Sequence, residues 1–290
     1  MTLTRRELLA SCVLPFALSC RDSAGVPTSP SPPSSARTIF RQDFNTAPLG
    51  GYGPDALSAG WMGATPNNGV SQGRTSVIEG AGAHEGRSLR VLYPKRGVGS
   101  SAGGALWRMS VGRFDDLYCS YYVRFEPDFD FVKGGKLPGL AGGAANTGGR
   151  KPSGTDGWSA RMMWHARGEV VQYVYHVDQP TIYGEDFRWD HGGQRFFRPG
   201  TWHRVEHRIA INAPGERNGI VQGWFDGVLA LDRRDVRFRD VDAFAIDVFA
   251  FSTFFGGDDP TWAPPKDEHI TFDQFTITTA RDNGSGSLRL

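Results

Sequence analysis

The chain has 290 residues, 39% of them hydrophobic, with 38 glycines and a formal net charge of +1. That is length for one large domain with a sizeable core, and a glycine load that long helices tolerate poorly. The near-neutral balance excludes a global basic field, so no nucleic-acid partner is expected.

The first segment, "TRRELLASCVLPFALSC", has a twin arginine, a short apolar run and then small residues. It reads as a secretion signal over residues 1–20, of twin-arginine type. The apolar run is too short for a permanent membrane span. "ALSC", ending at Cys20, resembles a bacterial lipoprotein cleavage site, although Ala17 stands where Leu is usual. Lipidation at Cys20 and plain cleavage are the two outcomes. Either predicts an exported protein, which is periplasmic, lipid-anchored or secreted. Membrane attachment is expected only through a lipidated Cys20. Residues 21–37 are Pro/Ser-rich with almost no apolar content, a flexible tether before one domain over residues 38–290. Beyond Cys20 the only cysteine is Cys119, so an internal disulfide is excluded. It lies in the apolar strand pattern "LYCSYYVRF" and reads as a buried structural thiol. The domain is expected to be a monomer.

Strand signals dominate the body. "TIFRQDF", "SLRVLYP", "GGALWRMSV" and "DDLYCSYYVRFEP" are each bounded by Gly, Pro or Asp. The stretch at 138–157, "PGLAGGAANTGGRKPSGTDG", reads as a long Gly-rich loop, a rim over a cleft. "TWHRVEHRIAIN" alternates, "IVQGWFDGVLALD" carries Asp226–Gly227 as a two-residue hairpin turn, and "AIDVFAFSTFF" and "HITFDQFTITT" close the domain. With no sustained helical period and no internal repeat, the fold class is all-β. The architecture is an antiparallel β-sandwich of jelly-roll type.

Residues 132–167 hold Lys133, Lys136, Arg150, Lys151, Arg161 and Arg167 against Asp156 alone, a local charge of +5 that calls for an acidic ligand. "WSARMMWH" and "EVVQYVYHV" read as two strands joined by "ARG", with Gly168 at the left-handed position of a three-residue hairpin. Paired residue numbers then sum to 334: His165 faces Glu169, Arg161 faces Tyr173 and Ser159 faces Tyr175. Alternation puts Ser159, Arg161, Met163, Tyr173 and Tyr175 on one exposed concave face, and Trp158, Ala160, Met162, Trp164, Val174 and His176 on the other, toward the core. Arg binds carboxylates with a bidentate fork. Tyr exchanges a proton if neighbouring cations lower its pKa. Together with a lysine, these groups suit β-elimination on a uronic acid polymer.

At these residues the chain resembles polysaccharide lyase family 14, the alginate and glucuronan lyases. "KGGKLPGL", "WSARMMW" and "QYVYH" carry the resemblance, which covers roughly residues 40–280. It implies a β-jelly-roll lyase with Lys136, Ser159, Arg161, Tyr173 and Tyr175 as catalytic residues. Lys133 is a rival to Lys136, which is preferred for its "GKLPG" context. Lys133, Tyr122, Arg124, Met163 and His165 are expected to bind substrate. The substrate class is an acidic polysaccharide, either alginate, mannuronate-rich, or glucuronan. No cofactor and no metal are expected. Tyr175 is the preferred proton carrier, its hydroxyl held by Ser159.

Two other readings remain at this level. A jelly-roll carbohydrate-binding module needs only exposed aromatics. A glycoside hydrolase needs two carboxylates on one strand face, for which "GEDFRWD" offers Glu185, Asp186 and Asp190 but no convincing alternation. "HRVEH" lacks zinc spacing along a strand. "GGDDPTW" with Glu268 and Asp273 is a capped turn before it is a calcium site.

Overall fold

The computed structural model describes residues 36–257 and 259–281. The expected export signal, Cys20 and nearly all of the expected 21–37 tether lie outside the described residues.

In chain order the first strands are β1 (Thr38–Gln42), β2 (Gly50–Gly51), β3 (Thr65–Asn68), β4 (Thr75–Glu79), β5 (Arg87–Tyr93), β6 (Ala105–Phe114), β7 (Asp116–Phe125) and β8 (Gly134–Gly143). The rest are β9 (Gly157–His165), β10 (Val170–Tyr175), β11 (Glu185–Arg188), β12 (Trp202–Ala210), β13 (Gly219–Phe225), β14 (Val228–Val236), β15 (Ile246–Phe255) and β16 (Glu268–Thr278). Two short helices, α1 (Pro54–Gly60) and α2 (Gly99–Ala102), sit between strands. One sheet has nine strands, ordered β14-β13-β12-β7-β16-β5-β4-β2, with β1 also pairing β16. The other has seven, ordered β11-β10-β9-β8-β15-β6-β3. Pairing is antiparallel throughout, and the fold is the expected jelly-roll sandwich.

Alternation explains how the sheets close on each other. On the inward face of the seven-stranded sheet Phe251 stacks on Trp107 (3.7 Å) and meets Phe272 and Phe275 of the nine-stranded sheet. Trp158, Ala160, Met162 and Trp164 are fully buried in this layer, as their parity in the sequence requires. Cys119, on β7, is buried in the same core with its thiol pushed well up by desolvation, as a structural cysteine should be. Asp226 and Gly227, both at positive φ (50° and 83°), turn β13 into β14.

Two expectations need correction. The stretch at 138–157 is not one loop: its first part is β8, a central strand between β9 and β15. Its glycines mark close strand approach, because a Cβ on Gly139 would sit 2.3 Å from the Ala160 carbonyl oxygen. Only residues 144–156 are loop. Tyr122 and Arg124 do share a face, but on β7 of the nine-stranded sheet, pointing away from the core. Tyr122 stacks on His84 (3.9 Å) and Arg124 Nε donates to the Gly200 carbonyl (3.1 Å). They take no part in a site on the other sheet.

Candidate active site

The hairpin of β9 and β10 has the register that its three-residue connection dictates. Tyr173 pairs with Arg161, Tyr175 with Ser159, and the His165 N–H donates to the Glu169 carbonyl (2.8 Å). Gly168 is left-handed at φ 84°, and Arg167 is too at φ 64°. The register continues across the whole sheet. Asp186 pairs with Tyr173, Arg161 with Gly139, Gly139 with Ala250, and Ala250 with Arg108. One row therefore runs over six strands, on the face turned away from the core.

Lys136 joins this face through a bulge. It pairs with Met163, while Gly139, three residues on, pairs with Arg161, only two residues from Met163. The extra residue falls at Leu137–Pro138. A proline lacks the N–H for a central strand and is tolerated where the ladder is interrupted. Without the bulge, Lys136 and Gly139 would point to opposite faces. With it, Lys136 Nζ reaches 2.8 Å from Met163 Sδ and 3.7 Å from the centroid of the Tyr173 ring.

The face is more enclosed than its polar composition suggests. Lys136 is 8% exposed, Arg161 5%, Ser159 1% and Tyr175 1%. The loop after β8 covers part of it. Ser159 Oγ donates to the Asn146 carbonyl (2.7 Å), and the Tyr175 hydroxyl accepts from the Gly149 N–H (3.2 Å). Ser159 therefore does not hold Tyr175, contrary to the sequence reading. Tyr173 is only partly buried and opens on a cleft of about 600 Å³, lined also by Lys136, Arg161, His165, Asp186 and Trp262. A smaller hollow of about 130 Å³ continues past Arg161 toward Arg108.

Charge in the cleft is unbalanced. Arg161 Nη1 donates to Ser252 Oγ (3.1 Å), yet its buried Nε has no partner, and no ion pair among the described residues includes Arg161 or Lys136. Burial lowers Arg161 to about 10, so it is still charged at neutral pH. Burial, with the Arg161 charge beside it, drives the Lys136 ammonium well below the ordinary lysine range; Asp186 acts the other way. Tyr173 moves up, chiefly by burial and then through Tyr175. The expectation of a tyrosine with a lowered pKa is thus reversed: the lysine is biased to neutral and the tyrosine to protonated.

The remaining predicted residues divide. Met163 and His165 line the cleft, and His165 Nε2 pairs with Asp186 (2.8 Å). Lys133 is exposed at the rim; it donates to Thr261 Oγ1 (2.5 Å) and lies over the Trp262 ring (5.8 Å). Glu185 and Asp186 do lie on a strand, β11, but as neighbours pointing apart, Glu185 to His176 (2.8 Å) and Asp186 to His165. They are not the paired carboxylates of a hydrolase. Among the described residues no group of three His, Cys, Asp or Glu is placed to hold a metal. Asp259 caps the turn Pro260–Trp262 through the Thr261 N–H (2.7 Å).

The sequence model of the polysaccharide lyase 14 family matches residues 81–275. The chain belongs to this family. It is a polysaccharide lyase, as its motifs suggested. Alginate lyase Aly36B is 29% identical, with a TM-score of 0.73 over 84% of this chain and 96% of its own. A doubly substituted form of that enzyme, in complex with an alginate tetrasaccharide, is 28% identical over 85% of this chain and 98% of its own, also with a TM-score of 0.73. The marine PL-14 alginate lyase from Aplysia kurodai is 26% identical, with a TM-score of 0.69 over 84% of this chain and all of its own (100%). An endo-β-1,4-glucuronan lyase from the fungus Trichoderma reesei shares the fold at 15% identity and a TM-score of 0.54, over 84% of this chain and 96% of its own. No curated protein matches the chain.

Sequence reading of this lyase missed Ser252, Tyr183, Trp262 and Arg108, and weighed Asp186 only as a hydrolase acid. All five line the cleft or its extension. Only Asp186 carried a local signal, its place in a short strand beside the tyrosines. Tyr183 lies in the turn between β10 and β11 without a pattern that marks it, and Ser252, Trp262 and Arg108 arrive from strands and turns distant in sequence.

Proposed function

We propose that this lyase cleaves a uronic acid polymer, foremost alginate, by β-elimination in the cleft of the seven-stranded sheet. The observation that carries the reading is a lysine biased to neutral, a tyrosine biased to protonated and an unpaired buried arginine within one cleft. A cleft whose one carboxylate, Asp186, is paired with His165 while the charged Arg161 has no carboxylate partner suits a polyanion. The solved structures 26–29% identical to this chain are alginate lyases, one of them carrying an alginate tetrasaccharide.

In this reading Arg161 binds the C6 carboxylate and draws charge from C5, which acidifies the C5–H bond. The free amine of Lys136 takes the C5 proton. Electrons of that bond form the C4–C5 double bond, and the C4–O4 bond breaks. Tyr173 gives its proton to the departing O4. Lys136 is then left carrying the C5 proton and Tyr173 is left as a phenolate, so net transfer of one proton from Lys136 to Tyr173, directly or through solvent, restores both groups. Ser159 and Tyr175 act as positioning residues, fixing the covering loop at Asn146 and Gly149. Tyr173 is preferred here to Tyr175 as proton carrier because it opens on the cleft and lies against Lys136, whereas Tyr175 is 1% exposed under the covering loop. His165 and Met163 contact the sugar chain, and Lys133 meets it at the rim.

The test is incubation with polymannuronate, polyguluronate, glucuronan and pectate, following ultraviolet absorbance of the unsaturated product. We expect the signal with alginate blocks, polymannuronate first, and expect it to survive chelation. Binding without product would return the carbohydrate-binding module. Products lacking a 4,5-unsaturated end would refute elimination.

Export belongs to the same proposal, because a large polyanion does not cross a membrane unaided. Fractionation of cells, with labelled fatty acid supplied, separates a lipid-anchored form at Cys20 from a released one.

A further inference from the structure

The row of side chains through the cleft does not stop at the reacting groups. Arg108 stands on β6, in register with Ala250, Gly139 and Arg161. The two intervening positions are Gly139 and Ala250, so no large side chain of this row stands between the two arginines. Three strand spacings of about 4.8 Å separate their backbones, roughly 14 Å in all. That span belongs to a short oligosaccharide and not to one sugar. Both arginines line the same small hollow, with Ser100 and Ser252.

Among the described residues, 13 of the 23 arginines, Arg90, Arg113, Arg188, Arg204, Arg208 and Arg237 among them, lie within ion-pair distance of a carboxylate. Arg108 has no such partner among the described residues, and neither does Arg161, whose buried Nε is also unsatisfied. Arg108 is exposed at the open end of the hollow, free to take an anion from solvent; Arg161 is lowered chiefly by burial, with Arg108 a minor addition. The wall beside Arg108 is fixed from below. Arg74, itself buried, donates to the carbonyls of Ser100 (2.9 Å), Ser101 (3.4 Å) and Gly104 (2.8 Å), pinning α2 against the hollow.

We propose that Arg108 is a second carboxylate anchor, which holds a uronate unit removed from the reacting bond and sets the length of chain this lyase prefers. The inference rests on the lyase reading above. Arg161 grips the unit under attack, the Gly139–Ala250 floor lets the polymer pass, and Arg108 takes the carboxylate of a unit farther along. Ser100 and Ser252 offer hydroxyls to the sugars between.

The test compares wild type, Arg108→Ala and Arg108→Lys on size-fractionated alginate oligosaccharides, from the shortest one cleaved up to the polymer. A charge-assisted hydrogen bond in a half-open site corresponds to roughly tenfold in affinity. The ratio of kcat/KM on long chains to that on the shortest is expected to fall about tenfold in Arg108→Ala, through KM. Arg108→Lys should recover part of it. Calorimetric binding of a long oligosaccharide should weaken about equally, and this readout needs no turnover. A solvated arginine only, with the ratio and the binding unchanged, overturns the proposal. So does an equal loss at every length. Wild type that binds long oligosaccharides better than Arg108→Ala but yields no unsaturated product would refute the lyase reading and leave the anchor standing.

Discussion

Lys136 Nζ lies over the ring of Tyr173, 3.7 Å from its centroid, although the two residues stand on strands separated by β9. The contact puts a proton acceptor and a proton donor on one side of the cleft. Tyr173→Phe keeps the ring and removes only the hydroxyl, so kcat should fall about 10²-fold or more with little change in KM. Tyr175→Phe loses a hydroxyl that accepts from the Gly149 N–H, and its effect should fall mainly on KM. A larger kcat loss in Tyr175→Phe would exchange their roles.

The pH profile follows from the charge directions. Lys136 works unprotonated, so kcat/KM should rise with pH through a pKa well below that of ordinary lysine. Tyr173 works protonated and is shifted up, so no alkaline loss is expected until well past neutrality. Asp186 is the charge that holds Lys136 up. Asp186→Asn should therefore move the rising limb to lower pH. Movement to higher pH would show that Lys136 is not the group being titrated.

Arg161 separates function from stability. Removing a positioned charge stabiliser costs on the order of 3 kcal/mol in the transition state, so Arg161→Ala should lose about 10²-fold in kcat/KM. Arg161→Lys should recover little, since a point charge does not reproduce the fork. In contrast, a buried cation without a carboxylate burdens the fold. Arg161→Met should be inactive yet more stable, by on the order of 1 kcal/mol, read as a rise of about 2–4 °C in Tm. A large fall in Tm would make Arg161 a structural residue instead.

His207 governs acid stability. It is fully buried on β12, neither ring nitrogen has a partner among the described residues, and desolvation lowers it to about 3. A histidine depressed in the fold binds more protons when unfolded. Its neutral form supports the fold fully above the unfolded value of about 6.5, and that support is lost as pH falls toward 3. His207→Phe should shift the acid unfolding midpoint downward, measured by far-ultraviolet circular dichroism. An unchanged midpoint would mean that other groups set it.

The hairpin was legible in its residues alone. A three-residue connection ending in Gly168 leaves one register, and period-two alternation then places Ser159, Arg161, Met163, Tyr173 and Tyr175 together and Trp158 and Trp164 in the core. These are local rules, and local rules are legible. Tertiary structure decided the rest. The side on which Lys136 emerges depends on one bulge at Leu137–Pro138, which appears only once β8 is flanked by β9 and β15. The same alternation that placed Arg161 placed Tyr122 and Arg124 together, but nothing in "CSYYVRF" says which sheet that strand joins. The protonation states of Lys136 and Tyr173 were likewise undecidable from residue types. They depend on burial under a loop and beside Arg161, and desolvation belongs to the assembled cleft rather than to any segment of the chain.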